Sequence, residues 1–362
     1  LLPDSFGGLI YPQCLAYNTT NNTIYVGGEH GDCVVAIDGA TNQRIARIPT
    51  GSNVMALCYN PTNNKVYCAN RSSDNVTLID GATNGVIATV AVDSYPRALC
   101  YNPANNKVYC ANGGSNNVTV IDGATDTVIA TVAAGDWPSA LCYNLTDNKV
   151  YSANNYSDSV TVIDGATNGV LATVAAGYNP WALCYNPTNN KVYCANYESH
   201  NVTVIDGATD TVLATVAAGS YPVALCYNPT DNKVYCANDD SDNVSVIDGA
   251  TNGYIATVAA GDYPRALCYN PTDNKVYCAN YDSDNVTVID GGTNSVIATV
   301  AAGAEPRALC YNPTSNKVYC ASNGSDNVTV IDGATNGVIA TVAAGDRPRA
   351  LCYNPANKKG SS

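Results

Sequence analysis

Histidine is nearly absent from these 362 residues: there are two, His30 and His200. So few imidazoles leave no Ser-His-Asp order and no His-based metal cluster from which catalysis could be argued. Long apolar runs are missing too, and nothing reaches the ~18 residues of a membrane span. No segment shows the 3.6-residue apolar period of a globular helix. Positive charge is scarce, with 17 Lys and Arg against 30 Asp and Glu, a net −13. The basic residues are dispersed, and without a cationic stripe to follow a phosphate backbone nucleic acid is disfavoured as a partner. The first residues, Leu1-Leu-Pro-Asp, carry neither an initiating Met nor a basic signal region, so the chain reads as a mature or trimmed form.

What is present is repetition. A Tyr-Asn pair recurs every 42 residues without insertion or deletion, at Tyr17, Tyr59, Tyr101, Tyr143, Tyr185, Tyr227, Tyr269, Tyr311 and Tyr353. Each copy holds four short β-prone runs separated by Gly, Pro, Asn and Asp turns; in the second copy these are about Ala56–Asn60, Lys65–Ala69, Asn75–Asp80 and Val86–Ala91. Four strands in about 40 residues is the size of a propeller blade. In the third run Val76 and Leu78 alternate with Ile79, so both faces are apolar, as in a blade sandwiched between two others. The expected fold is all-β, an eight-bladed propeller of four-stranded antiparallel blades with a 42-residue repeat. Residues 1–11 form a lead-in, 12–356 the single propeller domain and 357–362 a flexible tail or tag remnant. Residues 349–355 repeat the first run a ninth time, so one terminal strand is supernumerary at closure.

The pieces Tyr67-Cys-Ala-Asn with Val76-Thr-Leu-Ile-Asp, and Tyr109-Cys-Ala-Asn with Val118-Thr-Val-Ile-Asp, recur through nearly the whole chain. In these pieces the chain resembles the YVTN-type β-propeller repeat proteins, which include surface-layer and exported proteins. The resemblance implies the fold, and more loosely a place outside the cytoplasm. Related propellers include lactonase-like enzymes, but no matching catalytic constellation is present, and no catalytic residue is assigned.

Six copies carry two cysteines ten residues apart: Cys58/Cys68, Cys100/Cys110, Cys184/Cys194, Cys226/Cys236, Cys268/Cys278 and Cys310/Cys320. Read as nearly opposite on the first hairpin, each pair is within disulfide reach, which suggests an oxidising compartment. The alternative is packed thiols, cysteine being a small hydrophobe. A metal site is poorer still, since two cysteines need further ligands. Cys14 and Cys352, in the two competing inner-strand segments, could lock the seam. Acceptor triplets for N-glycosylation recur at Asn75, Asn117, Asn201, Asn243, Asn285 and Asn327.

Near-identical copies leave function to the positions that vary. These lie in the loop leading to each first run, which opens near one end of a propeller's central channel. They include Tyr95, Arg97, Trp137, Tyr178, Trp181, Tyr221, Tyr263, Arg265, Arg307, Arg347 and Arg349. Aromatics followed by arginines suit carbohydrate or protein surfaces. The Asp of each Ile-Asp-Gly, such as Asp80, reads as a turn cap. No metal site is assigned; calcium, the one cofactor weighed, finds its better candidates in loops such as Asp239-Asp-Ser-Asp. The expected function is a non-enzymatic extracellular or cell-surface structural or adhesive propeller, with protein, carbohydrate or its own copies as partners. The alternatives are a periplasmic ligand-binding or lactonase-like propeller and a filament built by terminal strand addition.

Overall fold

A computed structural model describes residues 9, 11–29 and 31–355. The lead-in 1–11, apart from residues 9 and 11, and the tail 357–362 lie outside the described residues. The first blade comprises β1 (Pro12–Asn18), β2 (Thr23–Gly28), β3 (Cys33–Asp38) and β4 (Arg44–Pro49). The second comprises β5 (Val54–Asn60), β6 (Lys65–Asn70), β7 (Asn75–Asp80) and β8 (Val86–Ala91). Six more blades repeat this pattern to a last strand at Val338–Ala343, each an antiparallel sheet in sequence order. The protein is an eight-bladed β-propeller with four antiparallel strands per blade and, among the described residues, no helix.

The chain divides into two compact units. One holds the first three blades, most of the fourth and residues 352–355; the other holds essentially the last four. Within each, first strands lie against first strands of the neighbouring blade, and the middle strands are buried on both faces. Tyr67, Val76 and Leu78 of the second blade pack on Val108, Cys110 and Ile121 of the third. From its other face Val66, Cys68 and Ile79 pack on Tyr25, Val34 and Ala36 of the first. The two-faced reading of the third run therefore holds.

Polar groups at the blade edges are joined across the same interfaces. Asn60 Nδ2 donates to Asn106 Oδ1 at 2.7 Å, and Asn186 Nδ2 to Asn232 Oδ1 at 2.9 Å. The lysines that open second strands at 65, 107, 191, 233 and 275 clamp the next blade's outer turn: Lys191 Nζ donates to Gly249 O at 2.7 Å, Ala250 O at 3.0 Å and Asn252 Oδ1 at 2.8 Å. In the second blade the same position makes an ion pair, Lys65 Nζ to Asp126 Oδ1 at 2.7 Å.

The ninth inner-strand segment does not displace β1, which keeps its place beside β2. Instead Asn354 Nδ2 donates to Gly39 O at 3.2 Å, the bond Asn18 Nδ2 makes to Gly81 O at 3.5 Å. Asn354 thus bonds to the first blade as Asn18 of the first inner strand bonds to the second.

The cysteine pairing is corrected by register. Asn60 pairs with Lys65, Cys58 with Tyr67 and Leu57 with Cys68. Between the turn and the bulge, directly opposed residues in such a hairpin are an odd number apart, so a spacing of ten puts the two thiols on opposite faces. Cys58 looks toward the third blade and Cys68 toward the first. The same offset separates Cys100 from Cys110, Cys184 from Cys194, Cys226 from Cys236, Cys268 from Cys278 and Cys310 from Cys320. All twelve are thiols. Cys14 also keeps its thiol, which donates to Val54 O at 3.4 Å, so no bond to Cys352 is formed. The argument for an oxidising compartment falls with the bridges.

Burial pushes the thiols of Cys58, Cys100 and Cys184 up to about 12. Since the thiolate is the reactive form, a disulfide reagent at pH 8 should leave these twelve untouched in the folded protein and modify all of them in denaturant. Fast native labelling of Cys110 or Cys194, counted by mass, would contradict the burial.

Candidate functional site

The loop entering each first strand is built on an unusual backbone. The residue before the strand's proline has positive φ: 58° at Tyr95 and Trp137, 56° at Tyr221, 54° at Tyr263, 56° at Glu305 and 50° at Arg347. Bulky side chains rarely adopt this region, which costs ~1–3 kcal/mol when it is imposed. What imposes it is an acceptor 21 residues earlier. Tyr95 N–H donates to Asp74 Oδ1 at 3.0 Å, Trp137 N–H to Asn116 Oδ1 at 3.0 Å, and Tyr263 N–H to Asp242 Oδ1 at 3.1 Å. In the fifth blade the acceptor is His200, whose Nδ1 receives Tyr221 N–H at 3.1 Å.

The residue after the proline is aimed by a bulge. Pro264 pairs with Asn280 and Ala266 with Ala279, leaving Arg265 as the extra residue on its strand. Arg97, Trp181 and Arg307 occupy the same bulged position. A bulge takes a side chain out of the alternating pattern and re-aims it, so these residues turn toward the loop end of the blade.

Two side-chain groups result, one in each unit. In the first, the Trp137 ring lies 6.2 Å from Tyr95 and 5.3 Å from Tyr156, and the Arg97 guanidinium sits 5.4 Å from the Trp137 ring centre. Arg71 stands 5.4 Å from Tyr95. In the second, Trp181, Tyr197 and Tyr221 form a ladder with ring centres 5.6 and 4.6 Å apart, and His200 meets Tyr221 edge-on. Trp181 remains 46 % exposed. Beyond the ladder, Arg265 Nε lies 2.9 Å from Asp239 Oδ1, in ionic contact without an aligned hydrogen bond. Both Arg265 and Arg307 stand within 6 Å of the centre of the Tyr281 ring, at 5.5 and 5.9 Å. Glu305 accepts from Asn323 Nδ2 at 2.7 Å, and Arg349 Nε donates to Asn323 Oδ1 at 3.2 Å. The Asn323 bond, with a second from Tyr281, holds the Glu305 carboxyl below its usual range.

Of the residues singled out in the sequence, Tyr95, Arg97 and Trp137 are brought together in the first unit, and Trp181, Tyr221, Arg265, Arg307 and Arg349 in the second. Tyr178 is 64 % exposed and joins neither ring group, and Tyr263 is tied down through its backbone alone. Arg347 shares the strained loop position, its N–H donating to Asp326 Oδ1 at 2.8 Å. Missed altogether were Arg71, Tyr156, Tyr197 and His200, while Asp239 and Tyr281 were weighed only as cation-loop residues and Glu305 only as a variable position of the entering loop. All but Glu305 lie on the loop between second and third strands, which meets the entering loop at the same blade end. A signal was available: the position after the second strand reads Arg71, Gly113, Asn155, Tyr197, Asp239, Tyr281 and Asn323, as varied as the entering loop.

The YNCE-like beta-propeller family pattern matches residues 96–254 and 229–359. The chain belongs to the YNCE-like β-propeller family. Among solved structures, this YNCE-like propeller is similar to a dihydro-heme d1 dehydrogenase, NirN, in complex with DHE, at 16 % identity and TM-score 0.75, over 97 % of this chain and 80 % of the other. It is also similar to Kuenenia stuttgartiensis hydrazine synthase, at 21 % identity and TM-score 0.57, over 78 % of this chain and 96 % of the other. At such identities the likeness is one of fold alone. No curated protein matches the sequence.

The acidic loops of this YNCE-like propeller have protein partners: Asp239 contacts Arg265, and Asp242 receives the Tyr263 N–H. Among the described residues no three His, Cys, Asp or Glu side chains gather as a metal site. The glycosylation triplets begin third strands with their amides turned into the blade edge. Asn75 accepts from Asn70 at 2.7 Å and donates to Ser73 O at 3.0 Å; Asn117 donates to Asp93 at 2.7 Å. Asn201 and Asn285 accept from Asn196 and Asn280 at 2.7 Å, Asn243 donates to Ser241 O at 2.8 Å, and Asn327 is half-buried. A glycan would take over an amide nitrogen already in use at Asn75, Asn117 and Asn243.

Proposed function

We propose that this propeller is a binding module, not an enzyme, and that it recognises carbohydrate through the aromatic loop ends of its blades. The observation that carries the reading is the Trp181–Tyr197–Tyr221 ladder, with exposed Trp181 re-aimed by a bulge and Tyr221 held at positive φ by His200. Strained backbone, bulges and stacked rings are gathered where the copies differ, while the conserved interior of the repeat does the packing. Flat ring faces on rigid strands offer sugar C–H surfaces a platform with little rotamer entropy to lose. An adhesive role at the cell surface fits this chemistry. Placement there rests on the YVTN-like repeat pattern.

The test is a glycan array followed by calorimetry on the best hit. Trp181→Ala should weaken binding about tenfold, equal to the ~1.4 kcal/mol that a good ring stack contributes. Its melting temperature should stay unchanged, because nearly half the side chain is already in water. Unaltered binding by both Trp181→Ala and Tyr197→Ala would refute the reading.

A further inference from the structure

One cation in the second unit is out of balance. Arg307 stands on its inner strand between Arg265 and Arg349 in sequence, which hold the corresponding places in the repeats before and after it. Arg265 has Asp239 at 2.9 Å, and Arg349 is hydrogen-bonded to Asn323. Among the described residues, no carboxylate comes within ion-pair distance of Arg307, whose guanidinium instead stands 5.9 Å from the Tyr281 ring centre. Nearby Glu305 is occupied by Asn323. Burial, then the like charges of Arg349 and Arg265, lower the Arg307 proton affinity, so the cluster works against its own charge. Rigid bulged strands that hold Arg307 beside like charges, with no carboxylate at ion-pair distance from it, match how binding sites for anions are built. The aromatic ladder adjoins them, since Tyr197 lies within the electrostatic reach of Asp239 and Arg265.

We infer that Arg307, flanked by Arg265 and Arg349, receives the anionic group of an acidic saccharide whose rings lie on the Trp181–Tyr197–Tyr221 ladder and Tyr281. The inference rests on the carbohydrate reading above and narrows it to sugars bearing carboxylate or sulfate. A guanidinium presents a planar donor fork that a carboxylate meets with two parallel bonds and a sulfate with two of its oxygens. The chain's net −13 would repel a long polyanion in general, so the arginines have to act as a local site.

The experiment titrates the full chain by calorimetry with four probes: an oligogalacturonate, its methyl-esterified neutral form, a sulfated galactan oligomer and a single-stranded oligonucleotide. The wild type should bind an acidic oligomer at least tenfold more tightly than the esterified one, with the advantage shrinking as salt is raised. Whichever of the carboxylated and sulfated oligomers binds more tightly identifies the anion. Arg307→Gln should erase the acidic preference yet keep the weaker neutral binding, and Arg307→Lys should restore part of it. Arg349→Gln serves as a second variant should Arg307→Gln melt early. Equal binding of acidic and neutral oligomers overturns the inference while leaving the carbohydrate reading standing. Arg307-dependent capture of the oligonucleotide with no saccharide bound overturns the inference in favour of nucleic acid. No saccharide bound by any variant, with Trp181→Ala silent, removes both.

Discussion

Tyr235→Ala should lower the unfolding free energy by about 3–5 kcal/mol, the range for truncating a large ring in a close-packed core. Tyr235 has no exposure, and its ring packs with Val244 and Val246 of its own blade against Val276, Cys278 and Ile289 of the next. Its hydroxyl donates to Gly291 O at 3.2 Å and Asn294 Oδ1 at 2.9 Å. Tyr235→Phe separates the two contributions. It keeps the ring and should cost only about 1 kcal/mol, because Gly291 O retains the Lys233 ammonium at 2.6 Å. Urea titrations of the three proteins read both numbers. A Tyr235→Ala variant within 1 kcal/mol of wild type would mean that the inter-blade face is not what holds neighbouring blades together.

Acid should destabilise the protein steeply below about pH 4. In seven blades the Asp that closes the third strand (Asp38, Asp80, Asp122, Asp164, Asp248, Asp290 and Asp332) has its carboxyl held below the usual range, chiefly by the backbone N–H of the threonine three residues on. Asp248 Oδ1, for one, accepts from Thr251 N–H at 2.7 Å and Ala250 N–H at 2.8 Å. A carboxyl with a lowered folded-state pKa adds stability that is complete above its unfolded value, about 3.9, and is lost as pH falls through the folded value. The urea midpoint should therefore be flat from pH 7 to about 5 and fall sharply toward pH 3. Replacing several of these residues by Asn, which accepts the same bonds without titrating, should flatten the acid limb. An equal midpoint at pH 5 and pH 3 would sink this account.

The fold could be read from the chain because its signals are local and repeated. The Asn-Pro-x-x-Asn-Lys turn, the two apolar faces around Val76 and Ile79 and the Asp-Gly turn each carry a sufficient physical reason within a few residues, and each recurs through the blades. The cysteine pairs misled because spacing says nothing about face until the register is known, and a hairpin closed by Asn60 and Lys65 admits only odd separations between opposed residues up to its bulge, which lies beyond both cysteines. The candidate site was half visible. Trp137, Trp181 and the arginines stood out as variable loop positions, but their partners Tyr156, Tyr197 and Tyr281 come from a different loop. The bulge that re-aims Arg265 and Trp181 leaves no mark in residue type.

The side-chain links between blades keep fixed addresses along the chain. A lysine reaches 58 and 61 residues ahead, as Lys191 does to Gly249 and Asn252, and an asparagine reaches 46 ahead, as Asn186 does to Asn232. An in-frame duplication or loss of 42 residues in the gene therefore preserves the addresses: the new neighbours are complementary at once, with no compensating substitution. Copy number is free to drift by recombination while the interfaces stay intact.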